Sequence, residues 1–209
     1  MDNSFNLTDY MNNGVENIVK SIVKASLHNP KETAFIMKYI LSSKEANKKR
    51  SSLESKDYNI PPFLIASITS NCNLFCKGCY ARANKVCGEG LDNHQLTAER
   101  WDDIFKEAKE LGVSFILLAG GEPLMRMDVI EKARDTKEII FPIFTNGTIM
   151  NESYVQLFNQ NRNLVPIISI EGDRFQTDER RGTGTYDTLM STKRKLKLWW
   201  EIKVLCMQH

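Results

Sequence analysis

Residues 63–80 read FLIASITSNCNLFCKGCY, an apolar run from Phe63 to Thr69 that breaks into a loop carrying Cys72, Cys76 and Cys79. A short, continuous apolar run bounded by turn residues suits a strand buried on both faces, as in a parallel sheet. The thiols follow at C-x3-C-x2-C spacing, so they fall at a strand's C-terminal end, where α/β folds gather their chemistry. Pro61-Pro62 just upstream is a breaker and marks where the pattern of the chain changes.

Working outward, Val113 to Leu118, Ile139 to Phe144 and Val165 to Ile170 repeat the apolar-run signature. Helical patterns separate the runs. Thr97 is placed as the N-cap of a helix whose Trp101, Ile104, Phe105, Ala108 and Leu111 form one face and which Gly112 stops. Further helices are expected over about Met127–Thr136, Glu152–Asn161 and Tyr186–Leu198. Strands that each lead into a helix predict an α/β fold with a parallel sheet. Pro142 inside the third run removes a ladder donor and predicts an edge or a distortion there.

Upstream of Pro61, Val15, Ile18, Val19, Ile22 and Val23 make an amphipathic stripe, and a second helix is expected from Pro30, carrying Phe35, Ile36, Tyr39 and Ile40 and fading into the polar stretch Ser42–Asp57. The expected organisation is therefore residues 1–60 as a helical extension and linker, serving as a packing element, a lid or a docking surface, and residues 61–209 as the main domain.

The chain has 209 residues, 42% of them hydrophobic, enough for one real core. Lys and Arg number 28 against 26 Asp and Glu, a net charge of +2 that gives no field for nucleic acid. The polar N-terminus resembles no signal peptide, and no apolar run is long enough for a transmembrane segment, so a cytoplasmic location is expected. Five cysteines, three within eight residues, make a poor disulfide framework and a good metal loop. His28, His94 and His209 share no spacing with the cysteines.

Three thiolates on one loop can hold an iron–sulfur cluster, and three ligands for four irons leave one iron without a protein ligand. With Cys87 as a fourth ligand, the same loop also suits a zinc site.

The cysteine motif is joined by Ala119-Gly120-Gly121-Glu122-Pro123 after the second run, Thr145-Asn146-Gly147-Thr148 after the third, and Ser169-Ile170-Glu171-Gly172 after the fourth, with Arg180-Arg181 beyond. In this order they resemble the cysteine, GGEP, TNG and S-[LIV]-[DE]-G motifs of the radical S-adenosylmethionine (radical SAM) superfamily, and particularly its SPASM-type members. The resemblance covers about Pro61 to Met190.

That resemblance implies a (β/α)6 barrel, of which about four units are present. It implies a [4Fe-4S] cluster on Cys72, Cys76 and Cys79 and S-adenosyl-L-methionine on its open iron. Tyr80, Gly120, Gly121, Glu122, Asn146, Ser169 and Arg181 match positions that contact the cofactor. The implied reaction is reductive cleavage of the cofactor to a 5′-deoxyadenosyl radical, fed by an external donor such as a flavodoxin or ferredoxin; no protein side chain is named as catalytic. A peptide or small-molecule substrate is expected. The alternative is a non-catalytic metal-binding or interaction protein derived from such an enzyme. After Met190 the pattern decays into Lys193–Trp200 and a short tail, so the chain is expected to be truncated at its C-terminus, without the later strands and any cysteine-rich extension. Cys206 falls in that tail.

Overall fold

A computed structural model describes residues 30–55, 59–87 and 95–196 of the chain. The expected helix at Val15–Val23, the three histidines, Cys206 and the tail beyond Leu196 lie outside the described residues.

Four strands, β1 (Phe63–Thr69), β2 (Phe115–Gly120), β3 (Phe141–Thr145) and β4 (Leu164–Ile168), form one sheet in the order β1-β2-β3-β4. All neighbours are parallel, as the α/β expectation requires. The helices are α1 (Pro30–Leu53), α2 (Tyr80–Ala83), α3 (Ala98–Glu110), α4 (Met127–Asp135), α5 (Glu152–Gln160), α6 (Arg174–Arg181) and α7 (Thr185–Lys195), with a 3-10 turn at Pro123–Met125.

Thr97 caps α3 as expected, its side chain accepting from the Arg100 amide at 3.2 Å. The helix presents Phe105 to the sheet, where its ring meets Phe141 edge-on at 5.0 Å and stacks with Trp101 at 5.8 Å. Ala66, Ile68, Ile116, Leu118 and Ile143 point into the same core, together with Val129 and Ile130 of α4 and Tyr154 and Phe158 of α5. The expectation that every strand is buried on both faces does not hold for β1: Phe63 and Ile65 are 54% and 67% exposed. Phe63 and Ile65 fall on the opposite alternation from Ala66 and Ile68, on the face away from the core cluster.

Pro142 distorts the sheet without lying at an edge. The Ile140 amide donates toward β2, to Ser114 O, while those of Phe141 and Ser169 connect β3 with β4. Alternation therefore turns Pro142, two residues past Ile140, toward β2, where it has no N–H to offer. Only Leu118 and Ile143 pair in register between β2 and β3, besides the Phe115–Ile140 bridge, whereas β3 and β4 pair at five successive positions. Pro166 in β4 falls on the opposite alternation and faces the outer edge of the sheet.

One expectation is corrected. The stretch from Ser42 is not a linker but continues α1 to Leu53. Its Ser, Lys, Glu, Ala and Arg residues are adequate helix formers without an apolar stripe, and tertiary contacts supply the rest. The Arg50 guanidinium donates to Gly112 O, Tyr39 donates to Ser114 O at 3.3 Å, and a Cβ on Gly112 would lie 2.4 Å from Ala46 O. These contacts seat α1 at the N-terminal end of β2, the end away from the cysteines, so this helix is no lid over them. Arg180 and Arg181 lie in the last turn of α6, which a capping box of Asp173 and Gln176 starts.

Phe105 is fully buried. Truncating it in Phe105→Ala is expected to cost about 3–5 kcal/mol, read as a lower midpoint in urea unfolding.

Candidate functional site at the C-terminal edge of the sheet

Every motif after a strand opens at the same edge, because parallel strands deliver all their C-terminal loops to one end. The cysteine loop is fixed there on several sides. The Lys77 amide donates to Arg180 O at 2.8 Å, the Glu122 amide to Asn71 O at 2.7 Å, and the Asn73 side chain to Thr148 Oγ1 at 2.9 Å. Arg82 of α2 folds back over the loop, donating to Leu74 O at 2.8 Å and lying 3.9 Å over the Phe75 ring.

Within this frame Cys72, Cys76 and Cys79 are free, half-buried thiols. Burial pushes the Cys76 thiol up; Arg181 and Arg180 oppose that shift, and the neighbouring Cys72 and Cys79 add to it. Cys87 is buried, and its thiol interacts with those of Cys72 and Cys79. Among the described residues no three His, Cys, Asp or Glu side chains form a group that could hold a single metal ion. The donor set itself fits an iron–sulfur cluster, which takes one thiolate per iron.

Glu122 is the centre of the polar frame. It is 1% exposed. Its Oε1 accepts from the Leu124 amide at 2.9 Å and from Thr145 Oγ1 at 2.6 Å, and its Oε2 from the Asn146 amide at 2.7 Å. Burial pushes its carboxyl up from the ordinary range, and these three donors with Arg181 pull against that shift. The chain reaches Glu122 through Gly120 and Gly121. A Cβ on Gly121 would lie 2.1 Å from Asn71 O, so only glycine lets this turn pass under the cysteine loop.

Asn146 is likewise a tie between loops. Its Nδ2 donates to Asn73 Oδ1 at 2.9 Å, and its Oδ1 accepts from the Thr148 amide and hydroxyl. Ser169 continues the β3–β4 ladder, its amide donating to Thr145 O at 2.9 Å. Arg181 forks onto Glu171 at 2.6 and 3.1 Å, with Arg180 on the other carboxylate oxygen at 3.0 Å. Tyr80 stands apart, 81% exposed at the start of α2.

Arg126 carries no motif signal yet joins much of the frame. It reaches Ile68 O at 3.1 Å, Gln95 Oε1 at 3.2 Å and Leu96 O at 3.0 Å, and pairs with Asp128. A basic residue three positions after Glu122-Pro123, just before a helix, is the one available hint. For Glu171, position within a motif could have raised the question, and for Arg82, position just after the cysteine loop.

A parallel α/β sheet with a three-cysteine loop and three polar loops tied together at one edge defines the class. The profile of the Radical SAM superfamily matches residues 66–197, and the chain belongs to that superfamily. It is 30% identical over 132 residues to an Fe-coproporphyrin III synthase of Methanosarcina barkeri, covering 62% of this chain and 32% of that protein. It is 29% identical over 145 residues to the sporulation killing factor maturation protein SkfB of Bacillus subtilis, covering 68% and 34%. The chain thus spans about a third of the length of these two relatives. The solved structure of Streptococcus suis SuiB bound to precursor peptide SuiA shares the fold with a TM-score of 0.59 at 22% identity, over 73% of this chain and 34% of that one. No helix among the described residues is long and apolar enough to cross a membrane.

Glu122→Gln sets an NH2 group against a backbone or hydroxyl donor and is expected to cost about 1–3 kcal/mol in denaturant unfolding. The pH dependence has a definite sign. A carboxyl whose folded pKa is raised favours the native state below its unfolded pKa, and that contribution is lost as pH rises through the folded value. The Gln variant is expected to lose this component of the stability–pH curve.

Proposed function

We propose that Cys72, Cys76 and Cys79 hold a [4Fe-4S] cluster and that S-adenosylmethionine binds beside it at the Gly120–Gly121 turn, within reach of Ser169 and Arg181. The observation that carries this is the joining of the cysteine loop to the loops after β2 and β3 by Asn71, Asn73, Glu122 and Asn146. Three thiols and a glycine turn are thereby held at one edge, in a chain of this superfamily.

Bound cluster and cofactor supply one-electron reductive cleavage of a sulfonium, which starts radical chemistry. The chain's own residues position and screen. Arg181 is close enough to act electrostatically on both Cys76 and Glu122, so it offsets the negative charge that thiolates bring to a half-buried loop. Arg82 and the Lys77–Arg180 bond hold the loop's backbone so that the thiols need little ordering when iron arrives. Glu122 keeps the turn after β2 and the loop after β3 at a fixed separation, and Tyr80 is left free to cover a ligand. The electron donor would be a flavodoxin or ferredoxin. A peptide is the favoured substrate class, supported by the maturation role in SkfB's name and the precursor peptide bound by SuiB.

The test is anaerobic reconstitution of the 209-residue chain with iron and sulfide. The dithionite-reduced protein is expected to show a [4Fe-4S] electron paramagnetic resonance signal that changes when S-adenosylmethionine is added, with 5′-deoxyadenosine formed. Replacing Cys72, Cys76 and Cys79 together by Ala should abolish signal and product. Zinc bound in place of iron would instead support the non-catalytic alternative.

A further inference from the structure

Arg126 is the member of the polar frame to which the proposed function gives no role. It stands between the 3-10 turn Pro123–Met125 and α4, and its side chain is largely buried, 14% exposed. Each of its five N–H groups has an acceptor. Nε and Nη2 fork onto Asp128 at 2.9 Å each, Nη1 donates to Ile68 O at 3.1 Å and Gln95 Oε1 at 3.2 Å, and Nη2 donates to Leu96 O at 3.0 Å.

These acceptors mark the two ends of the excursion that carries the cysteines. The chain leaves β1 at Thr69, passes Cys72, Cys76 and Cys79, and comes back to Arg126 at Gln95 and Leu96, just before the Thr97 cap of α3. Gln95 also reaches across to Ser70 Oγ at 3.4 Å. The exit from β1 is irregular. Ser67 pairs with Ala119 and Thr69 with Gly120, so Ile68 is the extra residue of a β-bulge, and its carbonyl is the one that Arg126 takes. Beyond the bulge the Gly121 amide donates to Thr69 O at 2.8 Å and the Glu122 amide to Asn71 O at 2.7 Å. One guanidinium thus holds the bulge, closes the base of the excursion and sits on the chain that continues from the glycine turn. A planar fork with five donors can join this many acceptors at fixed angles, which a lysine ammonium cannot do.

We infer that Arg126 is a positioning residue that sets the register of the cysteine loop against the Gly120–Gly121 turn, and with it the placement of S-adenosylmethionine relative to the cluster. This rests on the cluster and cofactor sites of the proposed function. Groups that orient a binding shell change affinity without touching the ligand themselves.

The experiment compares the 209-residue wild type with Arg126→Ala and Arg126→Lys by two readings. In the metal-free protein, hydrogen exchange at the Gly121 and Glu122 amides is expected to speed up in Arg126→Ala, while α3 stays as protected as in wild type. In the reconstituted protein, the S-adenosylmethionine concentration that half-converts the reduced-cluster paramagnetic resonance signal is expected to rise about tenfold, with Arg126→Lys close to Arg126→Ala. A role in stability alone would lower the iron content and leave that concentration at the wild-type value in the chains that load. That result, or unchanged exchange at Gly121 and Glu122, would overturn the inference and leave the proposed function standing. No cluster in the wild type would overturn both. If Arg126→Ala does not fold, Arg126→Lys, which keeps the charge and the stem but loses the fork, decides by the same two readings.

Discussion

A carboxylate shut away from water and surrounded by donors is the constraint on which the site depends. Glu122 accepts from Leu124, Thr145 and Asn146, and so closes the turn after β2 onto the loop after β3. A buried charge of this kind is tolerable only while every partner stays in place. The penalty for losing one is what makes the geometry definite: the loops cannot drift apart without stranding the carboxylate. Asn146 and Asn73 then carry the same fixity onward to the cysteine loop.

The tie matters more because of where it falls. β2 and β3 have few backbone bonds between them, since Pro142 withholds its donor on that side. They are joined at the far end through Ile140 with Ser114 and Ile116, and near the site by side chains rather than by a full ladder. Polar contacts at the edge that carries the motif loops thus do part of the work that main-chain pairing does elsewhere in the sheet.

The four strands and the capped helix α3 were legible because long apolar runs, Thr97 and Gly112 leave local signals. The start of β2 was not: Val113 and Ser114 extend the apolar run but precede the ladder, which begins at Phe115. Helix α6 was missed because RFQTDERR has almost no apolar face to show a period; it depends on the Asp173–Gln176 capping box and on Glu171 holding its last-turn arginines. In the site, motif order put the loops at one end of the sheet, where they lie, but did not show that Glu122 and Asn146 spend their hydrogen-bonding capacity on neighbouring loops. That is a fact of tertiary pairing, as is the bridging by Arg126, and no spacing encodes it.

Pro166 bears on how this chain behaves among its own copies. Of the β4 residues that turn their main chain to the outer edge, the middle one has no amide to donate, so a strand arriving from another molecule finds the template interrupted at its centre. The ring itself is buried, and Pro166 keeps its register with Ile143 of β3. Among the described residues β4 ends the sheet, and there the missing donor is expected to weaken pairing of one copy's edge with another's.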